Sequence, residues 1–398
     1  MEDLNQAITL QEKAVHSTPE NHPDLPSWLN ALGNSLDTQY TCLGNLEDLN
    51  RAITLYEKAI QSTPEDHPKL AIWLKNLGNS LRKRFDLLNN MDDLTLAEKQ
   101  FFIAVNIISA SPHSRLESAI CWAQCDHLIS PQKAHHSYSY VMQLFSEAIS
   151  LSISINDRHF WLAKNTQHVR DAVQNALQCA QIDLAIEWFE QGQSVVWTQF
   201  LQLRPPLEEL RNKYPLLAEQ LEDLSSWLDQ ASTQDYGLQG IDISQDHIQI
   251  TNTIGSERVK LLKNIRMLPG FTRFLLPKEV SDLKRLSRMK SPIILINLSQ
   301  FNCDALALSC SSIQHIPLPE FDYKDAKSLY TSLLDILAHK NIKQRSGRAI
   351  KITSPDNVNY DLVFERMLSQ LWEQIAKPIL RALGIIVCIL QILIIVLY

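Results

Sequence analysis

The segment EDLNQAITLQEKAVHSTPENHP (Glu2–Pro23) returns almost unchanged as EDLNRAITLYEKAIQSTPEDHP (Glu47–Pro68), a register of 47 − 2 = 45 residues. The echo continues downstream: Trp28 repeats as Trp73, Leu32-Gly33-Asn34 as Leu77-Gly78-Asn79 and Tyr40 as Phe85, and a third copy opens at Asp93-Leu94. Self-similarity at a fixed period of tens of residues means an array of units, none of which buries its apolar face alone. Arrays of this kind mainly offer a long surface to a partner. Recognition, not chemistry, is the first expectation.

Each unit reads as a helical hairpin. Leu49, Ala52, Ile53, Tyr56, Ala59 and Ile60 recur at the spacing of one helix face. Ser62–Pro68 breaks that helix, because proline lacks an amide donor and disfavours α geometry in its predecessor. Leu70, Leu74, Leu77 and Leu81 then mark the face of the next helix. The pattern Leu74-x2-Leu77-Gly78-x2-Leu81 with Ala52-x3-Tyr56-x2-Ala59-x4-Pro64 resembles the tetratricopeptide repeat (TPR) across Leu25–Ile108. The usual TPR period is ~34 residues; the eleven additional residues are expected in the two inter-helix turns. Gly78 and Ala52 are expected to let helices approach closely while bulky side chains fill the gaps. Met1 falls inside the second helix of a unit, so Leu4, Ala7, Ile8, Leu10 and Ala14 are expected to lack a stacking partner. Met1–Thr18 is therefore expected to be the least protected repeat helix, or the natural protein to start further upstream.

Composition bounds the rest. Only 10 of 398 residues are glycine, and 45% are apolar, which suits a helical array with real cores. A net charge of −7 argues against a nucleic-acid footprint, which needs a basic stripe. The seven cysteines are odd in number and scattered, and no secretory signal precedes them, so reduced thiols in the cytosol are expected.

After Ile108 the period decays. Val141-x3-Phe145-x2-Ala148 keeps the second-helix pattern, and helices are predicted over Phe160–Gln178, Leu184–Leu203 and Leu207–Leu228. Residues 1–110 are thus read as repeats and 111–230 as degenerate repeats and junction helices. Ala231–Ser256 is polar and contains three glycines, and reads as a linker that could hold a short Ile-rich hairpin. Beyond it, Pro292–Ser299 is a continuous apolar run, the mark of a strand buried on both faces. Cys303–Ser309 and Ile313–Leu318 follow as strands, then helices over Tyr323–Ala338 and Leu362–Leu380. Strands flanked by helices suggest the opening of an α/β sandwich across residues 257–384.

Five segments carry a second resemblance. LAIEWFEQGQSVVWTQFLQLRPPLEELR (Leu184–Arg211) resembles the junction after the repeats in fungal proteins that end in a CHAT domain. LPGFTRFL (Leu268–Leu275), SPIILINLSQFNCDALAL (Ser291–Leu308) and IQHIPLPEF (Ile313–Phe321) resemble that domain's first strands, and LWEQIAKPILRALGI (Leu371–Ile385) its following helix. The resemblance implies a caspase-like α/β fold, a His/Cys peptidase dyad in active members, and roles in self-recognition or cell-death signalling. The expected fold class is therefore mainly α: a TPR-like α-solenoid followed by a partial caspase-like half-domain. The family's catalytic His and Cys segments lie beyond the last helix, and here the sequence turns instead into IIVCILQILIIVLY. No dyad residue carries over, and no catalytic activity is expected.

The residues themselves offer little chemistry. Cys303 or Cys310 with His315 would be a substitute dyad, but all three sit in or beside predicted strands, where buried thiols are expected. Cys121-x3-Cys125-Asp126-His127, with His135 or His136 as a distant fourth ligand, is a weak zinc pattern beside ordinary core cysteines. His22-Pro23 and His67-Pro68 recur with the repeat and read as turn residues. No phosphate loop, HExxH or GxSxG motif occurs, so no cofactor or metal is expected. The hydrophobic tail at 385–398 is compatible with a membrane anchor, an aberrant C-terminus or a buried strand pair. Lys377 and Arg381 flank its N-terminal side as a tail anchor on a cytosolic body requires.

The expected function is a non-catalytic interaction scaffold for a protein or peptide. The alternative is a fragment of a CHAT-type cysteine peptidase whose full product carries the dyad. By TPR register the first helix of each hairpin lines the groove, which makes Asn30, Asn34, Lys75, Asn79, Arg82 and Lys83 candidate binding residues. Lys75, Asn79 and Arg82 are the sharper candidates, as donors for an acidic peptide; a plain solvated polar face is the alternative.

Overall fold

In a computed structural model the chain is described over residues 2–65, 67, 69–150, 155–202, 207–234, 245–274, 292–309, 312–339 and 360–385. It divides into two compact units: Met1–Asn165 with Val195–Leu275, and Thr166–Ser194 with Leu276–Tyr398.

The first unit is a stack of helices in chain order. It opens with α1 (Glu2–Ser17), α2 (Leu25–Leu43), α3 (Leu46–Gln61), α4 (Leu70–Leu88), α5 (Met91–Asn106), α6 (Pro112–Ile129) and α7 (Pro131–Ser150). The 45-residue register reappears in the geometry, but the additional residues are not shared by both turns: Gly44-Asn45 alone joins α2 to α3 and Asn89-Asn90 alone joins α4 to α5, and the helices are long, 19 and 16 residues. Gly44 and Asn89, one period apart, end α2 and α4 in the left-handed region (φ 72° and 54°), which these two residue types tolerate. Asn45 and Asn90 follow as N-caps, their side chains accepting from Glu47 N and Asp92 N. His22 and His67 Nδ1 accept the backbone N–H two residues on, at 3.1 and 3.2 Å, as turn residues do.

Packing repeats as well. A Cβ on Gly33 would lie 2.7 Å from the Tyr56 ring, and one on Gly78 would lie 2.6 Å from Phe101. Each small position on a first helix admits an aromatic from the second helix of the same hairpin, and 101 − 56 is again 45. The stack buries Leu49, Ala52, Ile53, Tyr56 and Ala59 on α3 and Leu74, Leu77 and Leu81 on α4, as the helical periodicity predicts. On α1 only Ile8 is buried.

Two readings of the middle of the chain are corrected. The helix expected over Leu207–Leu228 is α10 (Leu207–Lys213) and α11 (Pro215–Gln234), divided where Pro215 has no N–H to continue the ladder. The expected linker Ala231–Ser256 carries helix at both ends: α11 runs on to Gln234, and α12 spans Gln245–Arg266. The apolar positions Ile254, Leu261, Leu262 and Ile265 keep a helical period that the polar residues between them conceal. Leu262, Ile265 and Phe271 share a core with Leu207, Leu210, Ala218 and Leu221. The Leu268–Phe274 segment thus packs with the helical unit, although its sequence was grouped with the strands. Residues 235–244 lie outside the described residues.

The second unit takes part of α8 (Ile155–Gln178) and α9 (Ile182–Gln202), then β1 (Ile293–Leu298), β2 (Cys303–Leu308) and β3 (Ile313–Pro317). These strands form an antiparallel sheet in the order β1-β2-β3, with Asn297 opposite Asp304 and Ala305 opposite Ile316. The strand predicted to be buried on both faces was Pro292–Ser299. The structure gives that place to β2, whose six residues are all buried; it has a strand on each edge, and Cys303, Ala305 and Ala307 on one face share a core with Ile375 and Ile379. Next come α13 (Tyr323–His339) and α14 (Tyr360–Leu371), which passes through a π turn at Trp372–Ala376 into α15 (Lys377–Ala382). Pro378, which can donate no hydrogen bond, accounts for the widened turn. Cys303, Ala305, Ala307, Ile316, Leu318 and Phe321 form one core with Ile375 and Ile379.

Among the described residues no helix is long and apolar enough to cross a membrane. The tail from residue 386 onward lies outside them.

Candidate functional site

The six groove candidates sit on α2 and α4, with Asn30 and Asn34 on the former and Lys75, Asn79, Arg82 and Lys83 on the latter. Their side chains are tied across successive first helices. Asn76 Nδ2 donates to Asn30 Oδ1 (3.0 Å) and to Asn34 Oδ1 (3.1 Å). The Tyr56 hydroxyl donates to Asn34 Oδ1 at 2.9 Å; burial first, then Asp37, raises the phenol's pKa and keeps it a donor. Lys83 Nζ reaches Asp37 Oδ2 at 2.6 Å, while Ser80 Oγ donates to Asp37 Oδ1 at 3.0 Å.

One step along, Lys75 Nζ meets Glu117 Oε2 on α6 at 2.5 Å, and Lys164 Nζ on α8 meets Glu117 Oε1 at 2.9 Å. Burial pushes the Glu117 carboxyl up, but the hydrogen bonds and charges of Lys75 and Lys164 outweigh it and hold the pKa low. Asn79 Oδ1 lies 3.6 Å from Cys121 Sγ, and Arg82 contacts Cys125 Sγ at 3.9 Å while pairing with Asp86 at 3.0 Å.

Five of these contacts follow a rule. Asn34–Asn76, Lys75–Glu117 and Asn79–Cys121 are 42 residues apart, and Asn30–Asn76 and Asp37–Lys83 are 46 apart. Those separations are 45 − 3 and 45 + 1, which differ by one helical turn, so both select the side of each helix that meets its counterpart in the next unit. The result is a polar ladder on which every cationic candidate already faces an acid.

Sequence reasoning placed Asn30, Asn34, Lys75, Asn79, Arg82 and Lys83 on the first helices of the hairpins, where they lie, and did not single out Asp37, Asn76, Ser80, Glu117 and Lys164. The sequence holds the complementary polar residues about one period apart, but the offsets that join them (−3 or +1 for most, −2 for Asp37–Ser80 and +2 for Glu117–Lys164) come from the stacking.

The chemical candidates separate. His315 Nε2 lies 2.6 Å from Asp304 Oδ1, and both share a sheet face with Leu306, the cross-strand partner of His315. Cys303 alternates to the opposite face, in the apolar core, where burial first and then Asp304 push its thiol up to about 12. Cys303 and His315 therefore do not form a dyad. Cys310 lies outside the described residues. Cys121 and Cys125 share a face of α6, as expected, but that face is turned to Asn79 and Arg82 on α4. Burial lifts their thiols to about 11 and about 12.

The fold and this face define a helical-hairpin repeat protein followed by a small α/β unit. No family model matches the chain, and no curated protein does either. Among solved structures it is similar to a crystal structure from Podosopora anserina of nearly identical TPR-like repeats attributed to a kinesin light chain. That match has 18% identity and a TM-score of 0.34, covering 48% of this chain and 86% of the other. A superposition this loose carries no argument about shape or function.

Proposed function

We propose that the chain is a non-catalytic interaction scaffold of the TPR/CHAT kind. Its repeats hold a protein or peptide partner along the face of α2, α4 and α6, and its C-terminal part is a small caspase-like unit. The observation that carries this is the ladder itself. Side chains locked to one another across helices lose little further freedom when a partner arrives, which is the condition for affinity from a modest contact area. The Lys83 and Lys164 side chains are 36% and 47% exposed beside Asp37 and Glu117, so an acidic peptide would compete with those carboxylates for the two ammonium groups. The free thiols Cys42, Cys121, Cys125, Cys179 and Cys303 fit a reducing, cytosolic compartment.

Two experiments test the reading. In pull-downs at low salt, the Lys75→Ala/Arg82→Ala double variant, with helicity checked by circular dichroism, is expected to lose partners that wild type retains. Equal capture by both would remove the groove assignment. The purified chain is expected to cleave no peptide substrate; cleavage abolished by Cys303→Ala or Cys310→Ala would overturn the non-catalytic assignment.

A further inference from the structure

On the polar face of α2, α4 and α6 one carboxylate is shared by two lysines from different helices. Glu117 on α6 accepts from Lys75 Nζ of α4 at 2.5 Å and from Lys164 Nζ of α8 at 2.9 Å. Two other pairs on this face, Arg82 with Asp86 and Lys83 with Asp37, match one cation to one acid. The trio therefore keeps one positive charge in excess. It also lies within reach of solvent, since the side chains of Lys75, Glu117 and Lys164 are 19%, 29% and 47% exposed. Burial raises the Glu117 pKa, yet the two lysines more than offset it and hold the carboxyl below its usual value. Mild acid does not release the lysines; a competing anion can.

We propose that Glu117 stands where a ligand's anionic group belongs, and that the group which displaces it is the phosphoryl group of a phosphorylated peptide. The inference rests on the groove reading above and narrows it. A peptide carboxylate that took the place of Glu117 would exchange one monoanion for another of the same chemistry. It would gain no charge, and it would compete with a group whose tether holds it at an effective concentration of roughly mM. A phosphoryl group carries a charge of about −1.5 to −2 at neutral pH and three acceptor oxygens. It can answer both ammonium groups at once, and lysine meets it as a point charge without demanding a fork geometry. Glu117 is then released to solvent. It acts as a selectivity residue, closing the site to single carboxylates while a dianion can still open it.

The test uses the full chain and three fluorescently labelled peptide libraries, randomised around a fixed central phosphoserine, glutamate or serine. Wild type is expected to bind the phosphoserine library at least tenfold more tightly than the glutamate library. Glu117→Gln, which keeps the size of the side chain, should gain at least tenfold for the glutamate library, whereas a purely structural Glu117 would give a loss or no change. Asp37→Asn, which frees a single ammonium, should retain the phosphoserine preference, and Lys75→Ala/Lys164→Ala should abolish it, with helicity checked by circular dichroism. The preference should also shrink at pH 5, where the phosphoryl group, with a second pKa of about 6, loses its second charge while Glu117 stays ionised. Measurable but equal binding of the phosphoserine and glutamate libraries by wild type would overturn the proposal and leave the groove reading standing. So would an unchanged or weaker affinity of Glu117→Gln for the glutamate library. Binding of none of the libraries by either wild type or Glu117→Gln would remove both.

Discussion

At the scale of single residues the array depends on a few places where size or charge leaves no slack. The Cβ that Gly78 lacks would sit 2.6 Å from the fully buried ring of Phe101. Gly78→Ala should gain about 1 kcal/mol of helix propensity and lose about 2–3 kcal/mol to overpacking. Net destabilisation by about 1–2 kcal/mol in urea unfolding is expected; a more stable variant would show that α4 and α5 can part. Asp126, buried on α6, is the electrostatic counterpart. Burial first, then Glu98, raise its pKa from 3.8 to about 6, against the opposing pull of Ser137 and of Lys133, which lies 3.6 Å away and also pairs with Glu98. A carboxyl whose folded pKa lies above its unfolded one binds its proton more tightly when folded. It therefore costs stability increasingly as pH rises from about 4 to about 6, and the full cost persists above that. Asp126→Asn should accordingly gain stability relative to wild type across that window, by about 1–3 kcal/mol at pH 7. A difference independent of pH would show that Asp126 is not the titrating group.

At the scale of elements, comparison between copies is more informative than any one helix. Arg84 on α4 forms a fork with buried Asp93 (2.8 and 2.5 Å) and also donates to Asn50 (2.9 Å). One period earlier Gln39 donates to Asn5 at 3.0 Å, and buried Asp48 stands where Asp93 does. Gln39→Arg should rebuild the fork and raise stability by about 1 kcal/mol; no change would mean that α2 and α3 meet at a different angle from α4 and α5. Helix α1 buries only Ile8 and leaves Leu10 exposed, whereas α3 buries six residues. Its amides should exchange fastest among the repeat helices, and protection equal to that of Leu49–Ile60 would contradict this. Much of this was legible in the sequence, because a 45-residue echo with helical spacing fixes hairpins, caps and core together. Contacts between units were less legible: pairs such as Lys75–Glu117 and Asp37–Lys83 depend on offsets of −3 and +1 that only the stacking geometry supplies. The helix over Gln245–Arg266 was hidden by its polar faces, and the central place of β2 by a neighbouring run, Ile293–Leu298, that is just as apolar.

At the scale of the whole molecule, the described cores fall within one unit or the other. Leu70, Trp73, Leu74 and Ala104 belong to the repeats, while Cys303, Ala305, Ile316 and Ile379 belong to the sheet. Repeats exchange stability mainly with their neighbours, whereas a sheet closed by helices opens as one piece. Three thiols report on this without labels. Cys42 is exposed, while Cys125 is buried in the repeats and Cys303 in the sheet core. A thiol reagent should modify Cys42 at once in the native chain. Cys125 and Cys303 should react only through opening, because burial excludes the reagent and disfavours the thiolate. Pulse labelling along a urea series should then give separate midpoints for Cys125 and Cys303, as expected for units that unfold independently. One shared midpoint would mean that the repeats and the α/β unit form a single cooperative domain, and the partition of the chain would have to be redrawn.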